Sequence, residues 1–196
     1  MKMNLPNKLT VLRMFMVPFF VFFMLGSVTI GWFKWIALLL FIIASLTDLL
    51  DGKIARKYNI VTNFGKFMDP LADKLLVCSA LIGLTEIGLV PAWATIIIIG
   101  REFIISGFRL IAAERGIVIA ASPWGKAKTV VQMAMVIIML FFTNNYFCGL
   151  SEQLNFDFMK LVVVGNIAIW ISVILSIISL LDYLIKNKNV MKEDVK

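Results

Sequence analysis

Four aspartates, Asp48, Asp51, Asp69 and Asp73, stand close together in a 196-residue chain with only 12 acidic residues. The text is Asp48-Leu-Leu-Asp51-Gly52-Lys-Ile-Ala55-Arg56, then eight residues, then Gly65-Lys-Phe-Met-Asp69-Pro-Leu-Ala-Asp73. On a helix, Asp48, Asp51 or Gly52, and Ala55 share one face; on the next, Gly65, Asp69 and Asp73 share another. If these helices are antiparallel neighbours, four carboxylates converge. Such a cluster does not stay fully ionised without cations, and one or two divalent ions are the simple remedy. Gly52, Ala55 and Gly65 keep the same faces bare, so a bulky group can approach the backbone. Arg56 offers a forked donor to phosphate. Metal, guanidinium and bare helix face read together as a pyrophosphate site. One aspartate beside Lys53, Lys66 or Lys74 would read as a solvated helix end. Four on adjacent helices, at spacings of three and four with small residues between, favour the functional reading.

What the chain lacks narrows the chemistry. It has no histidine, which excludes Ser-His-Asp and Cys-His catalysis and histidine-ligated metals. Its two cysteines, Cys78 and Cys148, form no CxxC pattern, so neither a zinc site nor a redox motif is expected. The available ligands are hard oxygens, which favour Mg²⁺, Mn²⁺ or Ca²⁺.

The elements that must position these residues are membrane spans. Hydrophobic residues make up 61% of the chain and charged residues 16%, far from the balance of a soluble domain. That is about 120 apolar residues, enough for six spans of about 20 residues. We read an interfacial segment from Met1 to Leu9, then spans over 10–25, 32–50, 65–85, 91–113, 126–142 and 159–185. The second continues as helix through Arg56. Polar linkers cover 114–125 and 143–158, and a charged tail follows Lys186. The expected fold is thus an all-α integral membrane protein with six transmembrane helices, forming a single catalytic domain over 1–196. With six spans, the N-terminus, loops 2–3 and 4–5 and the C-terminus share one side, which holds nearly all the Lys and Arg. The opposite loops hold Lys34 and Lys160 with Glu86, Glu152 and Asp157. Positive residues mark the cytoplasmic side, so both termini and the aspartates are expected there, at the cell membrane. The net charge of +7 then reads as topology and attraction to anionic lipid. No nucleic-acid partner is expected.

The segment Asp48–Asp73 matches DxxDGxxARx8GxxxDxxxD at every defined position, and so resembles the signature of the CDP-alcohol phosphotransferase family. The resemblance implies a six-helix membrane enzyme, a homodimer. It would move a substituted phosphate from a CDP-linked donor to an alcohol and release CMP. It further implies that Asp48, Asp51, Asp69 and Asp73 hold Mg²⁺ or Mn²⁺, with Asp73 as the catalytic base. Gly52, Ala55, Arg56 and Gly65 would line the nucleotide site. Spacing alone leaves open which carboxylate is base and which only ligand.

The acceptor should be encoded elsewhere. Arg101 falls about ten residues into the fourth span, about 15 Å from its outer end, and must be paired or face a polar cavity. An internal ion pair with Glu102 or an aspartate is the plain alternative. Arg109, Arg115, Lys126 and Lys128 read either as cytoplasmic anchors or, as a group with Arg101, as a site for an acceptor that carries its own phosphate. The stretches Arg101–Arg109, Ala121–Thr129 and Asn4–Arg13 look like the phosphatidylglycerophosphate synthase branch of the family. That resemblance implies CDP-diacylglycerol as donor and sn-glycerol 3-phosphate as acceptor, and adds Asn7 and Thr10 to the nucleotide site. Serine, inositol or phosphatidylglycerol as acceptor is the nearest alternative. A divalent-cation transporter is the alternative of another class. It leaves Gly52, Ala55 and Arg56 unexplained and has no matching carboxylates on the outer half.

Overall fold

A computed structural model describes the backbone at 5–58, 63–114, 122–147 and 155–187, and most side chains outside 48–70, 144–162 and the connections. Within these residues the chain is all helical. Six helices follow in order: α1 (Leu5–Gly26), α2 (Phe33–Tyr58), α3 (Asn63–Glu86), α4 (Ala92–Glu114), α5 (Pro123–Phe147) and α6 (Asn155–Lys186). Among the described residues, three stretches are long and apolar enough to cross a membrane: Lys8–Gly26, Pro123–Phe141 and Val163–Lys186. Helix α2 adds a shorter apolar stretch, Phe33–Thr47. The expected count of six spans goes beyond these three.

The helix ends differ from the sequence reading in three places. Leu5–Leu9 belong to α1 itself rather than to a separate interfacial segment, with Pro6 in the first turn, where a missing N–H costs little. Helix α5 begins at Pro123, inside the expected linker, because Ser122 caps it: the Gly125 amide donates to Ser122 Oγ at 3.2 Å. Helix α5 also runs on to Phe147 and α6 starts at Asn155, which shortens the second linker.

The chain divides into two compact units. The first comprises Met1–Leu89 and Val136–Met159. In it α1 packs on α2 and α3, and α2 packs on α3. Large side chains of α1 and small residues of α2 and α3 share the interior. Phe20 and Met24 are fully buried, as are Ala37 and Ala44 of α2 and Ala72 and Ala80 of α3. Phe20 stacks at 5.6 Å on Phe41, and a β-carbon at Gly83 would overlap the Met24 Cε. This suits helices in lipid, where close backbone approach replaces the hydrophobic drive between helices. Arg13 is buried on the same helix.

The second unit comprises Val90–Met135 and Lys160–Lys196, and so holds α4, the first half of α5 and most of α6. Its core mixes Ala94, Ile98, Ile105, Ala112, Met135, Ile169 and Val173 with a polar set described below. The outward face of α6 is apolar: Ile174, Ile177, Ile178 and Leu181 are all exposed. All five indoles are also exposed, from 44% at Trp93 to 61% at Trp32. So much exposed apolar surface fits a lipid environment.

Hydroxyls inside these apolar helices are mostly satisfied by their own backbone. Thr47, Thr85, Ser106, Thr143 and Ser176 each donate to the carbonyl four residues back. Helix α3 ends in a Schellman turn: Leu89 N–H reaches Leu84 O at 2.9 Å and Gly88 N–H reaches Thr85 O at 3.0 Å, with Gly88 at φ 78°. A β-carbon at Gly88 meets nothing within 4 Å, so a substitution there tests backbone conformation alone. We expect Gly88→Ala to cost about 1–2 kcal/mol and Gly88→Asn less, read as the order of their melting temperatures in detergent.

Candidate active site

The aspartate signature lies on two consecutive helices of the first unit. Asp48, Asp51, Gly52, Ala55 and Arg56 are on α2; Gly65, Asp69 and Asp73 are on α3. Both helices run unbroken through these positions, so the spacings of three, four and seven that place the residues on shared faces have the helices they require. Only positions 59–62 join α2 to α3, and the two helices pack together, which makes them antiparallel neighbours. The side chains of all eight residues, and those of Asn7 and Arg115, lie outside the described residues. Among the side chains described, no three His, Cys, Asp or Glu come together. By donor chemistry, the four carboxylates suit a hard divalent cation. Thr10 is buried on α1, one turn before Arg13.

The cations proposed for the acceptor lie in the second unit, and two of them meet. Arg101 of α4 is only 8% exposed and Lys128 of α5 is fully buried. Both approach Glu102: Lys128 Nζ donates to Glu102 Oε1, and Arg101 Nη1 stands 3.6 Å from the same oxygen. Arg101 Nη2 donates to Ser179 Oγ of α6. The first turn of α5 closes on this group, since a β-carbon at Gly125 would lie 3.4 Å from Arg101 Nη2 and 3.8 Å from Ser179 Oγ. Arg101 Nε is buried and has no partner among the described residues. A buried guanidinium with an unmet donor is costly and is suited to an incoming anion. The ion-pair alternative for Arg101 is therefore also present, and it leaves Nε open. Arg109 and Lys126 are exposed. The Arg109 guanidinium stands 6.0 Å from the ring centre of Tyr183. Glu114 ends α4, and Asp182 pairs with Lys186 at 2.6 Å.

The sequence profile of the CDP-alcohol phosphatidyltransferases matches residues 3–178. The chain belongs to the CDP-alcohol phosphatidyltransferase family. Two relatives are similar over nearly their whole length and a third over about two thirds of it. A CDP-diacylglycerol–glycerol-3-phosphate 3-phosphatidyltransferase of Bacillus subtilis (strain 168) is 42% identical over 199 residues, covering 96% of this chain and 97% of its own. A protein of the same name from Haemophilus influenzae is 38% identical over 201 residues, covering all of both chains. A probable phosphatidylglycerophosphate synthase of Mycobacterium tuberculosis (strain H37Rv) is 44% identical over 134 residues, covering 68% of this chain and 64% of its own.

In this member of the family, sequence reasoning passed over the α6 contribution. Ser172, Ser176, Ser179 and Tyr183 are all buried, and their spacing of four, three and four puts them on one face. Gln132, one turn beyond Lys128 on α5, is buried as well. The signal was a polar stripe at helical period within an apolar span. We expect Glu102→Ala to destabilise the protein by about 3 kcal/mol, because it removes the carboxylate that two buried cations share. The double variant Glu102→Ala/Lys128→Met should recover much of that loss. Thermal melts of the three proteins in one detergent check both.

Proposed function

We propose that the chain transfers the phosphatidyl group of CDP-diacylglycerol to sn-glycerol 3-phosphate, giving phosphatidylglycerophosphate and CMP, as a step of phospholipid biosynthesis. The observation that carries this reading is the complete aspartate signature on two packed, consecutive helices, in a chain with relatives named for that reaction, two of which align over nearly their whole length. Arg101 supports a phosphorylated acceptor over serine or inositol, because its buried Nε has no partner among the described residues.

In this reading the whole chain acts as one catalytic domain of six spans in the cell membrane, with both termini and the aspartates on the cytoplasmic side, and it works as a homodimer. Asp48, Asp51, Asp69 and Asp73 would hold Mg²⁺ or Mn²⁺. When bound, the metal supplies charge neutralisation at the pyrophosphate. Arg56 steadies the pyrophosphate with its forked donors, while Gly52, Ala55 and Gly65 leave room for the nucleotide beside Asn7 and Thr10. Arg101 and Lys128 receive the acceptor phosphate, helped by Arg109, Arg115 and Lys126. Asp73, one turn beyond Asp69, takes the proton from the primary hydroxyl. The freed oxygen then attacks the phosphorus bearing diacylglycerol, and CMP leaves.

The test is CMP release from CDP-diacylglycerol in mixed micelles. It should require both glycerol 3-phosphate and Mg²⁺ or Mn²⁺; release with serine or inositol instead would reassign the acceptor. Metal flux into liposomes without CDP-lipid would favour transport. Asp73→Asn should lower turnover by at least about 100-fold, the range of general-base catalysis, with helicity and melting temperature unchanged. Wild-type turnover in that variant removes Asp73 as the base.

A further inference from the structure

We propose that Ser179 is a positioning residue for the acceptor. It orients the Arg101 guanidinium so that its Nε side faces the acceptor phosphate, and it thereby sets affinity for glycerol 3-phosphate. This rests on the reading that Arg101 receives that phosphate. Ser179 is fully buried on the polar stripe of α6. The neighbouring Ser176 turns its hydroxyl back onto Ser172 O at 2.7 Å, the usual solution for a serine in an apolar helix. Ser179 instead accepts from Arg101 Nη2, across the interface between α6 and α4.

That contact completes a frame around the guanidinium. Glu102 Oε1 stands 3.6 Å from Nη1, Ser179 takes Nη2, and the bare Gly125 lies against Nη2, where a β-carbon would come within 3.4 Å. Nε alone is left without a partner among the described residues. A free arginine samples many rotamers, and holding it in its bound orientation lowers the entropic cost of receiving a phosphate. Two features of the site follow: a small residue at position 125, and a hydroxyl at 179 within a span that otherwise needs none.

Steady-state kinetics of the full-length enzyme in mixed micelles test this. Ser179→Ala should raise KM for glycerol 3-phosphate about tenfold, the effect of losing a hydrogen bond to a charged group, while KM for CDP-diacylglycerol stays unchanged. Ser179→Thr, which keeps the hydroxyl, should stay close to wild type. In an Arg101→Gln background, Ser179→Ala should add nothing further, because it acts through Arg101. If Ser179→Ala does not accumulate folded, Ser179→Cys, similar in size but a poor acceptor, carries the same comparison. An unchanged KM for glycerol 3-phosphate, or an equal rise for both substrates, or an undiminished effect in the Arg101→Gln background, overturns the proposal. If Arg101→Gln raises that KM and Ser179→Ala does not, only the positioning role fails. If Arg101→Gln leaves it unchanged, the acceptor assignment fails first.

Discussion

Glu102 brings together two cations that cannot afford to be alone. A guanidinium and an ammonium buried among apolar helices carry a desolvation cost that only a nearby carboxylate and good hydrogen bonds offset. Lys128 and Arg101 meet that condition at one oxygen of Glu102, and Arg101 takes a further partner in Ser179. Residues from α4, α5 and α6 are therefore tied at one level of the second unit. A slip of either partner helix by one residue would turn Lys128 or Ser179 away, since neighbouring positions on a helix point about 100° apart.

The first unit is held differently. Its interior is fitted by size: Phe20 and Met24 are fully buried along with Ala72 and Ala80, and Met24 lies against the bare Gly83. Small residues let the backbones approach, and dispersion accumulates over many contacts. The aspartate signature uses the same economy on α2 and α3, where Gly52, Ala55 and Gly65 alternate with the acids. Bare helix faces thus serve packing in one stretch and, in the proposed reading, access in the next.

Much of this was legible in the sequence, for physical reasons that can be named. Apolar runs of span length, broken at 26–31, 58–64, 86–90, 114–125 and 143–158, place all six helices. The boundaries that slipped are those where a local cap outweighed composition. Ser122-Pro123 is a strong start signal, yet Gly116, Pro123 and Gly125 together read as linker. Asp48–Asp73 was legible because ionisable residues at spans are rare and their spacing is helical. Ser179 and Tyr183 were not, because a hydroxyl in an apolar helix usually bonds to its own backbone and then says nothing about function. Only the cross-helix partner separates Ser179 from Ser176. Charge alone groups Arg109 and Lys126 with Arg101 and Lys128, and burial is the difference composition does not give: the first two are exposed and the last two buried.

The five exposed indoles bear on what can be seen in this protein by light. With each tryptophan at least 44% exposed, tryptophan emission takes its colour from the surrounding detergent or lipid more than from the protein interior. Trp93 and Trp170 stand 5.2 Å apart, near enough to share excitation. The protein's intrinsic fluorescence is thus a gauge of immersion, and brominated lipid tails would dim it by reaching the rings directly.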